Sequence, residues 1–224
     1  MSASGDLTVV IQAGGESRRM GTSKATVPFM GEPLLLRGVR RLLPIADELV
    51  VTTNEPDALG FLDDFIDRGS LRLATDVCGE RGALRGILTA LSSATRPYVS
   101  LVACDMLFPS TALISAEHAA LAASSTDAVS VPADIAVPCT SHGYEPFHAV
   151  YRRDTCLPVV KRAVDGGEAK ADSFFGEMLL ITFDADRVAA IEPAGRCFVN
   201  ANTPDELAHW ESVLSCEDPP SSSF

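Results

Sequence analysis

Apolar positions along the chain fall into short continuous runs rich in β-branched residues, separated by longer stretches in which apolar residues recur every three or four positions. The runs at residues 7–12, 48–53, 71–74, 98–104 and 128–131 read as strands. The windows at residues 33–43, 57–68, 83–94 and 110–123 read as helices, the last with Ser110 as its N-cap. Regular alternation of the two predicts an α/β fold of three layers, a mostly parallel sheet with helices on both faces. Because the strand runs are continuous rather than alternating, both faces of that sheet should be buried. The rhythm breaks after Pro132, where residues 134–145 carry proline, glycine, serine and threonine and read as a long loop near the active face. It resumes with strands at 147–152, 179–183 and 197–199, a helix at 155–164 and a closing helix at 204–214. Residues 1–214 read as a single domain, with neither an internal repeat nor a dividing linker, and residues 215–224, dominated by Glu, Asp, Pro and Ser, as a disordered tail.

Composition narrows the partners. With 224 residues, 46% of them hydrophobic, the chain can fill one core. Its 18 basic residues against 30 acidic ones leave a net charge of −12, which excludes a broad phosphate-backbone surface and hence a nucleic-acid partner. No apolar run approaches the ~18 residues of a bilayer span, and residues 1–6 lack the basic start and apolar stretch of a secretory signal, so a cytoplasmic protein with no membrane partner is expected. Six cysteines, with no CxxC pair, read as buried free thiols in a reducing compartment.

Any anionic ligand must therefore meet a local concentration of positive charge. One stands directly after the first strand: Gln12, Ala13, Gly14, Gly15, Glu16, Ser17, Arg18, Arg19, Met20, Gly21, Thr22, Ser23, Lys24. Three glycines let backbone N–H groups approach a ligand, and Arg18, Arg19 and Lys24 add charge, so the loop is a polyphosphate cradle by composition. It fits neither GxGxxG nor the P-loop, since Gly14 and Gly15 are adjacent and Lys24 stands three positions beyond Gly21. A second signal is Asp105, an acid at the end of an otherwise apolar central strand. Its charge needs a cation or several donors, which Mg²⁺ with a nucleotide phosphate would supply, or else it is a turn residue before Ser110. The third is the run from Val199 to Glu206, where Thr203 caps a helix that opens with Pro204. Asn200 and Asn202 lie just outside the cap, as turn formers or as amides that orient a phosphate.

Taken in order, these segments resemble the molybdenum cofactor guanylyltransferases, the MobA-like group within the nucleotidyltransferases of Rossmann-like, GT-A-type fold. AGGESRRMGTSKA is similar to the family's AGGxSxRMGxDKA, and Asn54, Asp76, residues 82–86, ACDM at 103–106 and VNANTPDEL at 199–207 follow in the family's order. The resemblance implies transfer of GMP from GTP to molybdopterin with release of pyrophosphate. It implies Mg²⁺ as cofactor and proteins that handle molybdenum cofactor as partners. Gln12, Ala13, Gly14 and Gly15 would lie against the nucleotide, Lys24 would hold its phosphates, Asn54 and Asp76 would contact the nucleoside, Asp105 would bind the metal, and Asn202 would stand beside the reacting phosphates. Arg19 is added on charge grounds as a second phosphate contact. Ser23 replaces the family's aspartate, Ala83 and Arg85 alter GPLAG, and Gln12 replaces a leucine. These departures leave cytidylyl or other nucleotidyl transfer, and a non-catalytic nucleotide-binding relative, as alternatives.

Such a reaction needs no protein base, because an ionised phosphate is already a nucleophile; charge neutralisation and positioning should carry it. The acceptor is expected between the glycine loop and residues 138–153, where Tyr144, Phe147, His148, Arg152 and Arg153 could stack on and charge-match a pterin phosphate.

Overall fold

The computed structural model describes residues 5–13, 24–75, 82–125 and 131–217. The first half of the chain follows the expected alternation. β1 (Leu7–Gln12) leads to a two-stranded hairpin, β2 (Pro28–Phe29) and β3 (Glu32–Pro33), and then to α1 (Leu34–Leu42). β4 (Glu48–Thr52), α2 (Asp63–Asp67), β5 (Arg72–Ala74), α3 (Ala83–Ser93), β6 (Tyr98–Ala103) and α4 (Thr111–Ser124) follow. The second half contributes β7 (Ile135–Thr140), β8 (Gly143–Tyr144), β9 (His148–Arg152), α5 (Arg153–Asp165), β10 (Leu180–Phe183), α6 (Ala185–Ile191) and α7 (Pro204–Glu217).

The sheet runs β10-β7-β9-β6-β1-β4-β5, with β8 attached to β7. β1 pairs in parallel with both β4 and β6, β4 with β5, and β7 with β10. β9 alone among the strands of that path runs against its neighbours β6 and β7, so the sheet is mixed but mostly parallel. Alternate residues of one strand enter opposite cores: Val9 and Ile11 join Leu35, Val39 and Leu42 of α1 and Leu113 and Leu121 of α4, while Val10 joins Ile87 and Leu91 of α3 and Val160 of α5. Each such side chain removed from water contributes roughly 1.5–3 kcal/mol, which is why apolar residues stand on both sides of the pleat. The expected helices on both faces are therefore present.

Several boundaries differ from the sequence reading. Residues 134–145 are not a loop: β7 and β8 form an antiparallel pair there, Cys139 opposite Tyr144. Pro138 disguises β7, but it sits beyond the last rung to β9, where a missing N–H costs the ladder nothing. The helix expected at 57–68 is a 3-10 stretch, Pro56–Leu62, followed by the single short turn of α2. Residues 128–130 of one expected strand lie outside the described residues, and Val131 is exposed and not in a strand. Residues 197–199 form a turn rather than a strand, joined to the sheet region through one bridge between Met106 and Asn200. The sequence reading has no counterpart to α6, which is about two turns long and starts on an Asp184 cap that accepts from Arg187 N at 2.9 Å. α7 runs three residues past the expected boundary at 214, to Glu217, whose carboxylate takes Arg196 in a two-pronged pair at 2.8 and 2.5 Å. Among the described residues no helix is long and apolar enough to cross a membrane.

Candidate active site

β1 and β6 lie side by side and end level, with Gln12 opposite Ala103. The ladder continues one step further through Cys104 N to Gln12 O at 3.0 Å, and Ala13 N bonds to Thr52 O at 2.9 Å. The chain after β6 then turns sharply, Met106 N to Ala103 O at 3.1 Å, which turns Asp105 out at the carboxyl edge of the sheet. In an open α/β sheet this edge, outside the strand ends, is where ligands collect.

Two segments distant in sequence are brought to the same edge by a small separate core. Val27, Phe29 and Leu34, just after Lys24, pack with Leu107, just after Asp105, and with Ala201 and Leu207, on either side of Asn202. Phe108 stands edge-on to both Phe29 and Trp210 in that cluster. Backbone bonds fix the register, with Leu107 N on Val199 O and Ala201 N on Asp105 O, both at 3.0 Å. The last of the three groups is set by a capping box: Glu206 N bonds to Thr203 Oγ1 at 3.2 Å, and Glu206 Oε2 accepts from Thr203 N at 3.2 Å and from Asn202 N at 2.5 Å. The expected cap on Thr203 and helix start at Pro204 are thus present, and they hold Asn202 in place.

The outcome is a three-point polar cluster. Lys24 Nζ donates to Asp105 Oδ2 at 2.6 Å and to Asn202 Oδ1 at 2.7 Å. The Lys24 and Asp105 side chains remain 18% and 20% exposed, so the pair is sheltered yet reachable by a solute. They border a cleft of about 310 Å³, lined also by Gln12, Ala13, Cys104, Glu145, Pro146, Phe147 and Asn200. Burial and the neighbouring Asp105 push the Cys104 thiol up to about 12, so it is no nucleophile near neutrality. Gln12 spans the floor: a Cβ on Gly86 of α3 would come within 2.7 Å of Cδ and Oε1 of its amide. The absent side chain at 86 is what gives that amide its seat.

Among the lining residues one lysine faces two carboxylates, Asp105 and Glu145, so the described part of the cleft is short of positive charge for a polyphosphate. The groups on offer are hard oxygens, the Asp105 carboxylate and the Asn202 carbonyl, and the described residues hold no set of three or more His, Cys, Asp or Glu that could cage a metal. Such a donor set suits Mg²⁺, which binds through one or two carboxylates and takes its remaining ligands from water and substrate phosphates.

Of the residues singled out in the sequence, Gln12, Ala13, Lys24 and Asp105 line this cleft, and Asn202 joins them through Lys24. Asn54 is exposed, two residues beyond β4, and is not one of the lining residues. Gly14, Gly15, Arg19 and Asp76 lie outside the described residues. Of the five residues expected to meet an acceptor, Phe147 lines the cleft. Tyr144 packs its ring against Phe175, His148 is fully buried, Arg152 lies over Tyr98 and bonds to Ala133 O, and Arg153 bonds to Leu91 O. The five described cysteines are free thiols but not uniformly buried as expected: Cys156 and Cys197 are buried, Cys104 and Cys139 are partly covered, and Cys216 is exposed; Cys78 lies outside the described residues. Glu145 and Pro146 fall within the segment 138–153 expected to meet the acceptor but are not singled out there; Glu145 ends what reads as loop and Pro146 stands just before the strand at 147–152.

A sheet of this order with a lysine, a carboxylate and an amide converging at its carboxyl edge places the protein in the class of α/β nucleotidyltransferases. The chain belongs to the MobA-like NTP transferase domain family, which its residues 9–181 match. It is 33% identical to a probable molybdenum cofactor guanylyltransferase of Natronomonas pharaonis, over 94% of this chain and 100% of that one. It is 32% identical to the molybdenum cofactor guanylyltransferase of Desulfosudis oleivorans, over 93% and 96% of the two chains. The fold is shared with the crystal structure of molybdopterin-guanine dinucleotide biosynthesis protein A from Archaeoglobus fulgidus, at a TM-score of 0.73 and 20% identity over 93% of this chain and 99% of that one.

Proposed function

We propose that the protein transfers GMP from GTP to molybdopterin with release of pyrophosphate, in the cytoplasm, handing its product to proteins of molybdenum cofactor insertion. The observation that carries the chemistry is the Lys24 ammonium bridging Asp105 and Asn202 at 2.6 and 2.7 Å at the mouth of the strand-end cleft. The full-length similarity to molybdenum cofactor guanylyltransferases supports the choice of nucleotide and acceptor.

In this reading the terminal phosphate of molybdopterin attacks the α-phosphorus of GTP in line, the bond to the bridging oxygen breaks, and pyrophosphate departs. Lys24 neutralises charge on the departing phosphates, Arg19 adds a second contact, and Asn202 orients the reacting phosphate with its amide. Gln12, Ala13, Gly14 and Gly15 lie along the nucleotide, with Asn54 and Asp76 on the nucleoside. Asp105 would hold Mg²⁺, which when bound polarises phosphoryl oxygens and offsets their negative charge. Among the described lining residues one lysine stands with two acids, so added positive charge from the ion would favour a bound polyphosphate. No side chain need remove a proton, since an ionised phosphate is already a nucleophile, and the Cys104 thiol in the cleft is held protonated.

The test is pyrophosphate release with purified molybdopterin and GTP, CTP or ATP, each with and without Mg²⁺. Release that needs GTP, acceptor and Mg²⁺ together is the expected result. Equal or better release with CTP would overturn the guanylyl reading, and nucleotide binding without release would make the chain a non-catalytic relative.

A further inference from the structure

A second acid–base pair lies behind the cleft and has no part in the proposed chemistry. His148 opens β9 and Glu117 lies in the middle of α4, both fully buried. His148 Nε2 accepts a hydrogen bond from Ser110 N at 3.1 Å. An imidazole nitrogen that accepts carries a lone pair, so the proton of the neutral ring must sit on Nδ1. That nitrogen faces Glu117 Oε1 at 3.6 Å, just beyond hydrogen-bond distance, and among the described residues neither it nor either Glu117 oxygen has a hydrogen-bond partner. Burial pushes the Glu117 carboxyl up to about 7, opposed by His148 and by Arg187 of α6. Protonated or not, the carboxyl keeps an oxygen able to receive Nδ1–H.

The imidazole also stands where the three cleft-bearing segments meet. Ser110 ends the segment that starts at Asp105. The ring meets Phe198 edge-on, with centroids 5.5 Å apart and planes at 82°, and Phe198 stands two residues before Asn200. The backbone of His148 bonds to Glu145 O at 2.9 Å, and Glu145, Pro146 and Phe147 are cleft wall. We propose that His148, fixed in its Nδ1–H tautomer by the Ser110 N–H and facing Glu117, is a positioning residue that holds the Asp105 segment, the Asn200–Asn202 segment and the wall at 145–147 in one register. This rests on the guanylyl-transfer reading for its catalytic consequence, but not for its geometry.

Substitutions can separate the acceptor from mere bulk. In His148→Gln the side-chain oxygen lies three bonds from Cβ, as Nε2 does, and can take the Ser110 N–H. In His148→Asn it is one bond short, and in His148→Leu it is missing. We expect His148→Gln to keep kcat within about threefold of the parent. His148→Asn and His148→Leu should lose about tenfold or more in kcat with little change in KM for GTP, since a misplacement near 1 Å can cost up to about a hundredfold in rate. Glu117→Leu should imitate the loss and Glu117→Gln should not. If kcat in all three His148 variants follows their melting temperatures alone, or if Gln and Asn behave alike, the positioning role is wrong.

A second readout needs no turnover. Nitrogen-15 spectra of histidine-labelled protein at neutral pH, with the His148 signal identified by its loss in His148→Gln, should show a protonated Nδ1 and a bare Nε2; the opposite tautomer overturns the inference. The amide signals of Asp105 and Asn202 should move in His148→Asn and stay in His148→Gln. An inactive parent protein with these spectra intact would sink the guanylyl reading and leave the positioning inference standing.

Discussion

Lys24–Asp105 and His148–Glu117 are both cation-forming side chains set against a carboxylate, and both tie distant parts of the chain together. They differ in water. The first pair keeps about a fifth of each side chain exposed, at 2.6 Å, whereas the second keeps none, at 3.6 Å. An exposed pair can exchange its partner for a ligand at little cost, since solvent and the incoming phosphate replace what is given up. A buried pair cannot, because any uncompensated charge stays in a medium that does not screen it. On the proposed reading the same chemistry serves binding at the strand edge and rigidity one layer beneath it.

Removing the carboxylate at the edge should give the largest effect on turnover. Asp105→Ala is expected to cut kcat by roughly a hundred- to a thousandfold, the usual range for one pre-organised electrostatic group, with the circular dichroism spectrum unchanged. The Asp105 backbone carbonyl takes Ala201 N, and that bond survives the substitution although the side-chain contact to Lys24 is lost. A variant that keeps near-normal rates would remove Asp105 from the reaction.

Beneath the edge, the effect should appear in stability and should depend on pH. Glu117 has its folded pKa raised from 4.5 to about 7 by burial. The unfolded chain therefore gives up this proton first as pH rises, so the folded state loses stability between about pH 4.5 and pH 7 and is flat beyond. The shift corresponds to a loss of about 3 kcal/mol at most. Glu117→Gln cannot ionise and should lack that slope in denaturant unfolding series run from pH 4 to pH 8. Parallel pH curves for parent and variant would mean that Glu117 titrates normally and that the contrast between the two pairs is false.

Lys24 should show the converse. Lys24→Met leaves Asp105 in contact with water, and partly exposed pairs contribute about 1 kcal/mol or less to stability. Its unfolding midpoint should therefore barely move, while the thermal stabilisation produced by saturating GTP with Mg²⁺ should shrink, because that shift scales with the logarithm of ligand over Kd. A Lys24→Met protein stabilised by GTP as fully as its parent would take Lys24 out of the phosphate site.

The edge was readable in the sequence and the layer beneath it was not. Asp105 stood out as a charge at the end of an apolar run, and Thr203 with Pro204 announced a helix start, because each breaks a local pattern for a local reason. Glu117 breaks a pattern too, sharing a helix face with Leu113 and Leu121 at spacings of four, but alanines surround most of α4 and hide which side is apolar. β7 was lost to Pro138 and Thr140, α6 to its brevity, and the false strand at 197–199 arose from a turn whose apolar residues face a neighbouring core instead of a ladder. Partners from distant parts of the chain decide all of these, and short-range periodicity does not carry them.

Gln12 ends β1 and lines the cleft, and the smallest predicted effect concerns its seat. Gly86 sits within α3, where alanine is the better helix former by about 1 kcal/mol. A methyl there would nevertheless meet Cδ and Oε1 of the Gln12 amide at 2.7 Å, closer than van der Waals contact allows. The side chain is flexible, so the amide should swing away rather than strain the fold. Gly86→Ala is then expected to keep its stability within about 1 kcal/mol, the helix gain offsetting the lost packing, and to alter nucleotide choice by a few-fold in competition between GTP, ITP and ATP. Gln12→Leu, which leaves the seat empty of polar groups, should alter it in the same direction. If Gly86→Ala changes stability but neither variant changes the choice of base, the amide is packing for the strand end, and base recognition lies elsewhere in the cleft.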